Sequence, residues 1–146
     1  MIAVRPDGTG DVTKSHVAWK CMKSTPSRPS QLLIGDRFWM VSDNGVVSNL
    51  DVKTGEPVWT HRMEGRHCGS PLYAPSEEGP GRIYFFDEDG TTRVIEANES
   101  EFKLLAENKL DAGFMASPAV HGDALILRTK THLYRIERPS SKSGSE

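Results

Sequence analysis

The chain has 146 residues, with 18 basic side chains against 20 acidic ones and a net charge of −2. That balance leaves no strong field to draw nucleic acid or an anionic membrane surface, and no basic run tracks phosphates. The apolar runs are far too short to span a membrane, and Cys21 and Cys68 make neither a disulfide framework nor a Cys-x-x-Cys metal knuckle. Met1-Ile2-Ala3-Val4-Arg5 has neither the basic start nor the long apolar stretch of a signal peptide.

In chain order, short alternating stretches separated by turn residues predict thirteen strands and no helix. The first two, at 1–5 and 16–22, flank the turn-rich Pro6-Asp7-Gly8-Thr9-Gly10. Four follow at 31–34, 37–42, 46–51 and 58–63, then four more at 71–74, 82–86, 92–96 and 102–108. The last three are at 118–121, 124–127 and 132–137. Asp43-Asn44-Gly45 and Asp87-Glu88-Asp89-Gly90 are hairpin turns between the second and third strands of their groups, and Arg128-Thr129-Lys130-Thr131 takes the matching place in the last group. Residues 75–80 form a loop insertion, and the Ser-rich stretch 139–146 is expected to be disordered.

The groups repeat. Trp19 and Trp59 each follow a turn, and Ser70-Pro71 and Ser117-Pro118 each open a segment with a glycine-bounded apolar run. Repeats of roughly 40–50 residues built from short strands are the mark of β-propeller blades. The best-formed turn is Asp51-Val52-Lys53-Thr54-Gly55. The Asp51 carboxylate can fold onto nearby backbone N–H groups, Thr54 can do so more weakly, and Gly55 can take a positive φ. Trp59, just beyond, is expected to anchor this hairpin against a neighbour.

Residues 49–59 resemble the Ala-x-Asp-x-x-Thr-Gly-x-x-x-Trp blade motif of the quinoprotein, or PQQ-like, β-propellers. Asp51, Thr54, Gly55 and Trp59 match it, while Asn49 stands in place of the usual Ala. The first repeat keeps Gly10 and Trp19 with a stretched turn, the third has Ile95-Glu96-Ala97 and no Trp, and the fourth has Ile136-Glu137-Arg138. The resemblance covers residues 1–138. It implies an all-β partial propeller of about three four-stranded antiparallel blades, with a blade part at 1–22, blades at 30–63 and 70–109, and a terminal blade at 117–138. Thirteen strands do not close a ring, so the chain is expected to be the C-terminal part of a longer propeller.

Each reactive-looking group has a plainer reading. Trp19 and Trp59 recur at matching places, which is the pattern of packing rather than ligand stacking. Asp51 has no companion carboxylate at ligand spacing, and Asp87-Glu88-Asp89-Gly90 lacks the closing Glu of a calcium loop. His67-Cys68 pairs a base with a thiol, but neighbours on a strand point to opposite faces, so only a loop would bring them together. Cys21 and Cys68 are left open between free thiols and a disulfide. His16, His61, His121 and His132 are too scattered for a zinc site. Arg128, Lys130, His132 and Arg135 form a small basic cluster, read as a solvated hairpin rather than an anion site. Phe114-Met115-Ala116 either lines a ligand mouth or packs in the core.

For function, the resemblance implies a periplasmic or secreted module that holds protein partners or further blades and has no catalytic or metal site of its own. The alternative is a fragment of a PQQ-dependent quinoprotein oxidoreductase, with PQQ and calcium held elsewhere. Such enzymes use adjacent cysteines, an Asp base, and Glu and Asn calcium ligands; Cys21 and Cys68 are not adjacent. A third reading is a sensor domain of a signalling protein. Open blade edges are expected to promote self-association.

Overall fold

The computed structural model describes residues 1–138; the stretch 139–146, expected to be disordered, lies outside the described residues. β1 (Ile2–Val4) and β2 (Val17–Lys20) pair as a two-stranded sheet. β3 (Leu32–Ile34), β4 (Arg37–Val41), β5 (Val46–Asp51) and β6 (Pro57–Arg62) form the second sheet, in chain order. The third holds β7 (Leu72–Ala74), β8 (Arg82–Phe86), β9 (Thr91–Glu96) and β10 (Leu104–Lys109). β11 (Ala119–His121), β12 (Ala124–Arg128) and β13 (Leu133–Ile136) make the last. All pairs are antiparallel, and each stretch read as strand from the sequence contains one, with ends shifted by a residue or two. No helix occurs among the described residues. These up-and-down sheets, each stacked on the next, are the blades of a partial β-propeller.

Alternation dictates how the sheets stack. On β4 and β5, Trp39, Val41, Val47 and Asn49 share one face, and Phe38, Met40, Ser48 and Leu50 share the other. All but Phe38 are buried, so each face is covered by a different sheet. Trp39, Val41 and Val47 pack with Ile83, Phe85 and Ile95 of the third sheet. Phe38 meets Trp19 of the first sheet edge to face, with ring centroids 6.3 Å apart. A second cluster, Phe86, Phe114 and Leu127 with Tyr84, Leu125 and Tyr134, joins the third sheet to the last. The outer strands β6 and β10 are largely exposed, and each pairs on one side only. Pro57, which has no N–H to give a ladder, sits at the open end of β6, where the register slips opposite Asn49 and Leu50.

Hydrogen bonds also tie sheet to sheet. The Ser30 N–H donates to Ser70 Oγ at 2.9 Å, and the Ser70 N–H donates to Ser117 Oγ at 3.0 Å. One serine per blade thus fixes the entry of the next. The Ser-Pro repeat exposed Ser70 and Ser117; Ser30 precedes Gln31 rather than proline and left no such mark.

Candidate functional site

The motif residues meet across blade junctions. Asp51 Oδ1 accepts from the backbone N–H of Lys53 at 2.9 Å and of Thr54 at 3.0 Å, and from the Thr54 hydroxyl at 3.3 Å. These bonds, led by those from Thr54 and then Lys53, hold its carboxyl below the ordinary range. Gly55 closes the turn at φ 71°. The Trp19 indole from the first sheet lies on that turn, and its Nε1–H donates to the Val52 carbonyl at 2.9 Å. Trp59 repeats the move one blade on, donating to the Asn98 carbonyl at 3.4 Å from between Trp39 and Phe102. The third sheet lacks glycine there; Asn98 makes the turn instead, its Oδ1 accepting from the Ser100 N–H at 2.9 Å. Trp59 is half-buried, and the fully buried tryptophan is Trp39, at 1% exposure. Asn49 is buried beside them, and its Nδ2 donates to the Glu99 carbonyl at 3.1 Å.

A Cβ on Gly55 would stand 2.5 Å from the Trp19 ring, on a backbone that side chains already disfavour. Gly55→Ala is therefore expected to cost about 1–3 kcal/mol in urea unfolding, from the left-handed backbone and the forced shift of Trp19 together. A loss under about 0.5 kcal/mol would mean the turn does not seat Trp19.

A polar cluster gathers where the β4–β5 and β8–β9 turns meet the segments leading into β3 and β7. Arg28 reaches Asp43 at 3.7 Å and Glu88 at 3.4 Å, and its Nη1 also donates to the Cys68 thiol sulfur. Cys68 in turn donates to Glu88 Oε1 at 2.6 Å. Burial, then the bond to Glu88, pushes the Cys68 thiol pKa up, the opposite of an activated nucleophile. That thiol bond, with Arg66 and Arg28 nearby, holds the Glu88 carboxyl down. Arg28 left no trace in the sequence pattern, because Cys68 and Glu88 lie 40 and 60 residues away and even Asp43 belongs to another loop.

His67 and Cys68 do lie in a loop, yet they do not meet in one site. His67 is buried, with Nδ1 3.1 Å from the Phe86 carbonyl oxygen. Close by, Asp87 spends both oxygens inside the protein. Oδ1 accepts from the N–H groups of Asp89 at 3.0 Å and Thr91 at 2.7 Å, and Oδ2 pairs with Arg93 at 3.1 Å. The Asp87-Glu88-Asp89-Gly90 segment is thus a turn whose first carboxylate faces inward. Arg93 also donates to Glu107 at 2.8 Å and to the Glu64 carbonyl at 2.9 Å.

Other residues singled out in the sequence fall apart in space. Both cysteines are free thiols. Arg128, Lys130, His132 and Arg135 are exposed, and Arg135 is paired with Glu137 at 2.6 Å. Phe114 is core, against Phe86 with ring centroids 5.4 Å apart, whereas Met115 is exposed. A cleft of about 610 Å³ between the third and last sheets is lined mainly by apolar groups such as Leu72, Tyr84, Leu125 and Ile136.

Comparison with known proteins places this architecture. Residues 43–144 match the family model described as "Outer membrane protein assembly factor BamB". The chain belongs to this PQQ-like propeller repeat family. Over 102 residues it is 29% identical to a polyvinylalcohol dehydrogenase from Sphingopyxis sp. (strain 113P3), covering 69% of this chain and 16% of that protein. The crystal structure of BamB from Moraxella catarrhalis superposes with a TM-score of 0.64 at 17% identity, over 83% of this chain and 36% of that one. A europium-containing methanol dehydrogenase superposes with a TM-score of 0.55 at 18% identity, over 72% and 20%. The chain thus spans only a minor part of the length of these relatives.

The blade motif is that of PQQ-like propellers, so the donors in this chain bear on PQQ and calcium. Cys21 and Cys68 sit in separate loops, one bonded to the Lys23 carbonyl and the other to Glu88. Among the described residues no three His, Cys, Asp or Glu side chains are placed to hold a metal. Cys21 and Cys68 are thus not the vicinal pair of a quinoprotein centre. No helix among the described residues is long and apolar enough to cross a membrane.

Proposed function

We propose that this PQQ-like propeller segment is a non-enzymatic module that holds protein partners, acting outside the cytoplasm. The observation that carries the reading is the self-pairing of its reactive groups. The Cys68 S–H donates to Glu88, Arg28 is spread over two carboxylates and a sulfur, and His67 is turned into the core. The Cys68 thiol that faces Glu88 is pushed up rather than activated, and the hydroxyls that face a histidine, Ser15 beside His16 and Thr131 beside His132, lie at exposed positions. The match to the BamB family model supports the partner-holding role, and the exposed outer strands β6 and β10 offer free backbone edges for it, with Val58, Leu104 and Leu105 uncovered. The second reading, a segment of a quinoprotein oxidoreductase, is favoured by the similarity to the polyvinylalcohol dehydrogenase.

Dye reduction tests whether this chain is catalytic by itself. With primary alcohols, aldose sugars or polyvinyl alcohol, and with PQQ and calcium added, the chain is expected to reduce dye no faster than a heat-killed control. Turnover above that control would overturn the proposal. The partner arm uses a photo-crosslinker at position 105, in cells that express the chain at natural levels. Discrete protein adducts that vanish when Leu104→Lys is added are expected, and their absence would count against the outer strand as the holding surface.

A further inference from the structure

His67 occupies a place that the neighbouring repeat gives to a hydrocarbon ring. It stands three residues before Ser70, as Phe114 stands three before Ser117. Both backbones donate to the turn of the preceding blade, His67 to the Asp43 carbonyl at 3.0 Å and Phe114 to the Asp87 carbonyl at 3.0 Å. Both side chains are 1% exposed. The Phe86 carbonyl beside His67 Nδ1 only accepts, so the neutral ring carries its proton on Nδ1. Nε2 is then a bare lone pair, buried and without a hydrogen-bond partner.

The charged groups around the ring pull in both directions. Asp87, just past β8, and the Phe86 and Glu64 backbone carbonyls favour a second proton, while Arg93 on β9 opposes it. Arg93 is itself neutralised by Asp87 and by Glu107 on β10. Burial outweighs these neighbours and pushes the ring below the ordinary histidine range.

We propose that His67 is an acid-sensitive latch between the second and third blades, shut while its ring is neutral and released when Nε2 takes a proton. Above about pH 6.5 the ring is neutral whether the junction is open or closed, and the latch is fully effective. As pH falls below that value, the opened form binds a proton that the closed form refuses. The opened fraction then rises by up to roughly tenfold per pH unit, and levels off once the folded pKa is passed.

Hydrogen exchange on the 146-residue chain tests this at about pH 7.5 and about pH 5.5, with rates corrected for intrinsic exchange. The His67 and Glu88 amides, which bond across the junction to Asp43 and Arg66, are the reporters. In the wild type their protection is expected to fall severalfold, up to about tenfold, at the lower pH. In His67→Phe, which copies Phe114, it is expected to stay level. Proton NMR of the wild-type ring supplies a measurement that needs no variant: His67 is expected to titrate below the ordinary histidine range. Unchanged protection in the wild type, an acid response retained in His67→Phe, or a ring that titrates in the ordinary histidine range would each overturn the proposal.

Discussion

Trp39→Ala is expected to lower the unfolding free energy by about 3–5 kcal/mol, the range for removing a large aromatic from a packed core. Trp39 is 1% exposed and sits where the second sheet meets the third, packed with Val41, Val47, Ile83, Phe85 and Ile95. Its ring also meets Trp59 edge to face at 5.5 Å. Truncation leaves a cavity walled by two sheets, each fixed by its own ladder, so little collapse can fill it. Single domains are stable by only about 5–15 kcal/mol, so the loss is a large share. Trp59→Ala, from a half-buried site, is expected to cost about 2 kcal/mol. Urea melts of the two variants rank them. Equal losses, or a smaller loss for Trp39, would move the centre of the core away from this junction.

Arg93→Met is expected to be comparably damaging, at about 3–5 kcal/mol, because it strands Asp87. Asp87 is 2% exposed and Arg93 only 9%. With the guanidinium gone, the carboxylate keeps two backbone N–H donors but no opposing charge. The double variant Asp87→Asn with Arg93→Met is expected to recover part of the loss, since a buried charge without a partner costs more than none. Glu107, half exposed at the other end of Arg93, matters less: Glu107→Gln is expected to cost under about 1 kcal/mol. Thermal or urea unfolding of all three variants checks the order. A double variant no better than Arg93→Met alone would show that the Asp87 turn bonds, and not charge burial, dominate.

What was legible in the sequence follows the range of the interactions. Alternation and turn chemistry act over a few residues, so the strands and the Asp51–Gly55 turn could be read directly. Blade stacking was legible only where a repeat marked it, as Trp19 and Trp59 did. Trp39 belongs to no such motif; its signal was an apolar neighbour on each side, Phe38 and Met40, the mark of a strand buried on both faces. The Arg28 cluster and the Arg93–Asp87 pair were hidden for a different reason. Charges in a loop or on a strand look solvated until the fold brings their partners across. His67 is the instructive case. Its adjacency to Cys68 drew attention to a catalytic pair, while the informative relation was to Phe114, one repeat away.

The most direct test of the functional account is binding of the quinone itself. Equilibrium dialysis of the 146-residue chain against PQQ with calcium, followed by the absorbance of bound quinone, measures it without relying on turnover. The account predicts no saturable uptake, and the same trace for wild type and Cys68→Ser. Saturable, calcium-dependent uptake of one PQQ per chain, weakened by Cys68→Ser, would contradict it and place a quinoprotein site within this segment.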